Sequence, residues 1–76
     1  MLSMYIRPEI LKHLRETYPP GTKVELIEMH DPYRDMQPGL TGEVTCVDDT
    51  GTIHVKWSNG STLGCVHGID FLKRID

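Results

Sequence analysis

Apolar positions follow two different periods along this chain. At the N-terminus Ile6, Ile10 and Leu14 recur every four residues with Leu11 beside them, which lines one face of a helix. The segment RPEILKHLRETYPPG, residues 7–21, therefore reads as one helix. Pro8 suits the first turn, where its missing N–H costs nothing. Pro19 and Pro20 stop the helix, and Gly21 releases the chain in a new direction. A helix of about ten residues is marginal in isolation, so its stripe is expected to dock on the rest of the domain or on a second copy.

From Thr22 onward the period falls to two. TKVELIEM, residues 22–29, predicts a first strand, and LTGEVTCVDD, residues 40–49, a second with Val44 and Cys46 on one face. TIHVKW, residues 52–57, predicts a third strand. It carries Ile53, Val55 and Trp57 on one side, with His54 and Lys56 on the other. Asn59-Gly60 reads as a two-residue type I′ hairpin loop, pairing Ser58 with Ser61, Val55 with Gly64 and His54 with Cys65. STLGCV then forms the fourth strand, HGID a tight turn, and FLKRI, residues 71–75, the last strand. Between the first two strands lies HDPYRDMQPG, residues 30–39, whose prolines and glycine forbid a regular element. The expected fold is mainly β: a small five-stranded SH3-like barrel over residues 21–76, preceded by a helix and Pro-Pro linker over residues 1–20.

Composition narrows the class of function. The chain has 76 residues, 38% apolar and 25% charged, which describes one soluble globular domain near the lower size limit for a single core. It has no apolar run long enough to span a membrane and no secretory signal pattern, so the cytoplasm is the expected compartment. Residues 1–20 balance to +1 and residues 21–76 to −4, and an acidic body disfavours nonspecific nucleic-acid binding. The sequence carries no G-x-S-x-G, no phosphate loop and no cofactor motif, so neither enzymatic activity nor a cofactor is expected.

The stretches YPPGTKVELIEMHDPY, PGLTGEVTCVDDTGTIHVKWSNGSTL and GID resemble a domain-of-unknown-function family of small SH3-like proteins. That family is associated with Gram-positive bacteria, their phages and mobile elements. The resemblance spans residues 18–72 and implies no established activity. At residues 30–33 HDPY is less acidic than the family form, which counts against a cation-chelating loop. More loosely, G-x-V followed by IHVKW-x-NG is similar to SH3-like barrels that bind peptides, nucleic acids or ribosomal surfaces.

The candidate binding residues are Tyr33, Arg34 and Met36 in the long loop, with Lys56, Trp57 and Asn59 around the Asn-Gly hairpin. Long loops on a rigid scaffold often carry contacts. Trp57 has two readings, core residue or exposed platform for a peptide or base. Cys46, His54, Cys65 and His67 lack zinc-ligand spacing, no metal is expected, and both cysteines read as small buried hydrophobes. Asp48 and Asp49 read as a turn rather than a catalytic or calcium-binding pair. The expected function is non-enzymatic protein binding in a phage or mobile-element accessory protein. The alternatives are a small-barrel nucleic-acid binder, with Lys23, Arg34, Lys56, Lys73 and Arg74 on phosphates, and a structural homodimer joined through the helix.

Overall fold

The computed structural model describes residues 6–29 and 36–75. One helix, α1 (Pro8–Thr17), precedes five strands: β1 (Lys23–Glu28), β2 (Thr41–Val47), β3 (Thr52–Trp57), β4 (Gly64–Val66) and β5 (Phe71–Arg74). The strands form one antiparallel sheet in the order β4-β3-β2-β1-β5, so β4 and β5 are its two edges. The mainly β reading with a short leading helix holds. Among the described residues no helix is long and apolar enough to cross a membrane.

Pro8 opens α1 as expected, and Tyr18 N–H closes it on Leu14 O at 2.8 Å. Glu9 in the first turn and Arg15 in the last complement the helix dipole. Leu14 is buried with the strand residues Val24, Leu26, Val44, Val47, Ile53, Val55 and Trp57, while Ile6, Ile10 and Leu11 pack against that cluster. Arg15 reaches Val47 O at 3.3 Å and Asp49 at 2.7 Å, and Arg74 donates to Thr17 O at 2.9 Å. Both ends of the apolar stripe thus rest on the protein's own sheet. The helix and the sheet share one core.

Two local departures from the expected pattern matter later. The Asn-Gly turn is a three-residue loop rather than a two-residue one. Trp57 N–H donates to Ser61 O at 2.8 Å, Gly60 N–H donates to Trp57 O at 3.0 Å, and Gly60 takes φ of 90°. Only one residue of that loop has to be a glycine, which matches a turn followed by a glycine bulge. The register downstream slips by one: Ile53 faces Cys65, and His54 faces Gly64 rather than Cys65. The second departure is a bulge in β2, where pairing jumps from Val44–Val55 to Cys46–His54. The extra residue, Thr45, moves Val47 into the core and turns Cys46 to solvent, against the expectation that Val44 and Cys46 share a face.

Room for the indole comes from Gly42 on the neighbouring strand. Gly42 pairs with Trp57, and a methyl group placed on it would lie 2.9 Å from the indole ring and 2.6 Å from Val55 Cγ1. Trp57 is 2% exposed, and its Nε1–H donates to Leu63 O at 2.9 Å, so the ring is buried with its one polar atom satisfied.

Candidate functional site

Of the six residues singled out from sequence, the four that the structure describes do not form one exposed site. Tyr33 and Arg34 lie outside the described residues, so their placement carries no statement. Met36 is 8% exposed and belongs to the core, which anchors the end of the long loop rather than offering a contact. Trp57 takes the core alternative of its two readings, and its ring is no platform. Lys56 and Asn59 are exposed. Asn59 spends its side-chain oxygen on Ser61 N–H at 2.9 Å, a turn-forming role. Lys56 pairs across the ladder with Glu43, whose carboxylate also binds Lys23 at 2.8 Å. Positive and negative groups alternate along this row. Lys23 holds that carboxyl below its ordinary range, first through the hydrogen bond and then through charge, and Lys56 adds a smaller lowering.

A different surface gathers more chemistry. A groove of about 270 Å³ opens between α1 and the turn that joins β4 to β5. Its apolar floor is Leu14, Ile53 and Leu72. The helix side contributes His13, Thr17 and Tyr18, and the turn side His67, Gly68, Asp70 and Phe71. The turn is held by Val66 O, which accepts Ile69 N–H at 3.1 Å and Asp70 N–H at 2.9 Å, while Asp70 Oδ2 accepts Val66 N–H at 3.0 Å. Gly68 takes φ of 86°, a region where a side chain is strained. Beside the groove stand Ile69, 50% exposed, and Phe71, 49% exposed. Scattered exposed apolar residues are ordinary, but an exposed aromatic that lines an apolar concavity extends its apolar surface.

The edge strand adds backbone groups. Ile75 N–H donates to Lys23 O at 2.9 Å, and the ladder continues through Glu25–Lys73 to Leu26–Leu72. Alternation in an antiparallel pair then points the N–H and C=O of Leu72 away from β1, toward the open edge. Tyr18, partly buried on the helix side, has its phenol pushed up by burial, which outweighs the lowering effect of Arg74. It is a neutral hydroxyl at physiological pH.

The metal question resolves through register. With His54 opposite Gly64 and Cys46 turned outward, the four sequence candidates do not converge. Among the described residues no group of three or more His, Cys, Asp or Glu is placed to hold a metal ion. Cys65 is buried under Ile53, and burial, reinforced by Asp70, pushes its thiol up to about 12, so it stays protonated and unreactive. Asp48 is the best-connected carboxylate. It accepts from Thr50 Oγ1 at 2.6 Å, Thr50 N–H at 2.9 Å, Thr52 N–H at 3.0 Å and His54 Nε2 at 2.8 Å. The Thr50 hydroxyl and then His54 hold its carboxyl well below the usual range, so it is ionised and His54 Nε2 is the donor. Both carboxylate oxygens are engaged within the hairpin, which makes Asp48 a structural hub.

Sequence reading missed the groove because its lining is split between residues 13–18, Ile53 and residues 67–72. One signal was available: Phe71 follows the HGID turn directly, so an aromatic stands at a strand start beside a glycine turn. In the comparisons with known proteins, no curated protein and no solved structure matches this chain. The model of one protein family, Domain of unknown function (DUF4314), matches residues 7–75, from the residue before α1 to the end of the sheet. The helix, the sheet and the groove between them all lie inside that match, and the chain belongs to the DUF4314 family.

Proposed function

We propose that the protein is a non-enzymatic interaction module that binds an extended segment of a protein partner in the groove between α1 and the β4–β5 turn. One observation carries this reading: an apolar-floored groove lined by exposed Phe71 lies against an edge strand whose Leu72 backbone groups face outward. An added strand uses such backbone groups for affinity and a pocket for one side chain for specificity. The groove's volume suits one or two side chains rather than a small-molecule substrate. The strand order, with the last strand beside the first, is also that of an SH3-like barrel, a scaffold suited to this mode of binding. A phage or mobile-element accessory role accords with such a module, and the cytoplasm is the compartment we assign to it. The nucleic-acid alternative finds less support, because Lys23 and Lys56 share Glu43 and Arg74 is occupied at Thr17 O.

Selection of a random peptide library on the intact protein tests this reading, with counter-selection on Phe71→Ser. Enrichment of peptides sharing an apolar anchor, with binding weakened about tenfold or more in the variant, is the expected result. Peptides that bind both proteins equally, or no enrichment at all, would overturn it.

A further inference from the structure

We propose that the groove selects segments in which a carboxylate stands next to the apolar anchor, the carboxylate being held between His13 on one wall and His67 on the other. This inference rests on the docking reading above and adds the chemistry of the partner.

The groove is rich in donors and nearly free of available anions. His13 and Thr17 come from α1, Tyr18 from its end and His67 from the facing turn. His13 Nε2 reaches Thr17 Oγ1 only at 3.5 Å, the outer limit of a hydrogen bond, so that contact is readily exchanged. The exposed His67 ring has no hydrogen-bond partner among the described residues. Asp70 is the one carboxylate in the lining, and it already accepts Val66 N–H within its own turn. A carboxylate only accepts, and it binds best where several donors converge, more strongly still where they are charged. The floor of Leu14, Ile53 and Leu72 offers nothing to a second polar group, so the neighbouring side chain must be apolar. That requirement favours a peptide over a nucleic acid, whose backbone brings phosphates without an aliphatic anchor.

The titratable groups lining the groove are His13 and Tyr18 from the helix side and His67 and Asp70 from the turn. Around them stand Glu9 and Glu16, about one helical turn to either side of His13, with Arg74 held at Thr17 O. Tyr18 offers a neutral hydroxyl, its phenol pushed up by burial. The net charge of −3 opposes an acidic partner at long range. Salt screens that repulsion beyond about 8 Å at physiological ionic strength, which leaves the short-range donors to decide.

The test uses two capped hexapeptide pools, identical except that one fixes Leu-Asp at its centre and the other Leu-Asn, with a single-stranded oligouridylate as a third probe. Each is titrated into the ¹⁵N-labelled protein, following the amides of His13, His67, Phe71 and Leu72. The expected result is that the Leu-Asp pool binds about tenfold more tightly than the Leu-Asn pool. The exposed substitutions His13→Ala and His67→Ala should each reduce that preference while leaving the spectrum of the folded protein intact. Equal binding of both pools would leave the docking reading standing and overturn this inference. Silence from both pools would overturn both readings. Shifts at the groove from the oligouridylate alone would assign the donors to phosphate and overturn the peptide carboxylate.

Discussion

The turns at residues 48–52 and 57–61 are closed by the same two backbone hydrogen bonds. In the first, Asp48 N–H donates to Thr52 O and Gly51 N–H to Asp48 O; in the second, Trp57 N–H donates to Ser61 O and Gly60 N–H to Trp57 O. Each places a glycine at positive φ in its third loop position, 84° at Gly51 and 90° at Gly60. What holds them differs. The first turn is organised by a polar hub on Asp48 and lies under the helix, where Ile6 packs on Gly51 and Arg15 binds Asp49. The second stands in solvent and is tied down at its foot by a buried indole. Equal local geometry therefore does not mean equal energetic weight. The surroundings set that.

The largest effect is expected at the foot of the second turn. Trp57→Ala should cost about 3–5 kcal/mol, close to the whole stability of a small domain, through lost burial and a cavity. Urea unfolding of this variant against the parent checks it, and the parent's tryptophan emission should be blue-shifted and protected from iodide. A Trp57→Ala protein as stable as its parent would mean that the ring is not in the core.

The glycines test the comparison directly. Gly51→Ala should cost about 2 kcal/mol, about half from backbone strain and half from a methyl group pressed onto Ile6 Cδ1. Gly60→Ala meets nothing within 4 Å and should cost only the strain, about 1 kcal/mol. Adding Ile6→Ala should abolish the difference between the two in a double-mutant cycle. Equal costs with Ile6 in place would mean that the helix does not bear on the first turn.

Asp48→Ala should destabilise by about 1–2 kcal/mol, an amount set by lost hydrogen bonds and lowered by solvent screening of a partly exposed group. The carboxyl is held low in the folded protein, so its contribution is present above the unfolded value of about 3.9 and lost as pH falls below it. The stability gap between parent and variant should thus be level from pH 7 down to about pH 5, then narrow on further acidification. A gap that widened in acid would contradict the hub.

The smallest effect concerns reactivity. Cys46 belongs to the bulged strand of the first hairpin and is exposed, whereas Cys65 belongs to the second and is buried. An aromatic disulfide reagent at about pH 8 should therefore titrate one thiol in the native protein and two in denaturant, with Cys46→Ser abolishing the native reaction. Two fast native thiols would place the register of β4 differently.

Several features of the molecule follow from the sequence alone, because they depend on near neighbours. The spacing of Ile6, Ile10 and Leu14, Pro8 at the helix start and the Pro19-Pro20 stop define the helix. Alternation through Ile53, Val55 and Trp57 defines the inward face of the third strand. The tertiary structure alone decided the rest. STLGCV has no firm alternation, so nothing local opposed a one-residue slip, and the choice between Gly64 and Cys65 opposite His54 fell to the packing of Cys65 under Ile53. Thr45 bulges so that both Val44 and Val47 reach the core, a demand that a period of two cannot express. The groove is likewise invisible in one dimension. Its walls are two segments some fifty residues apart, brought together only when the apolar face of the helix finds the open side of the sheet.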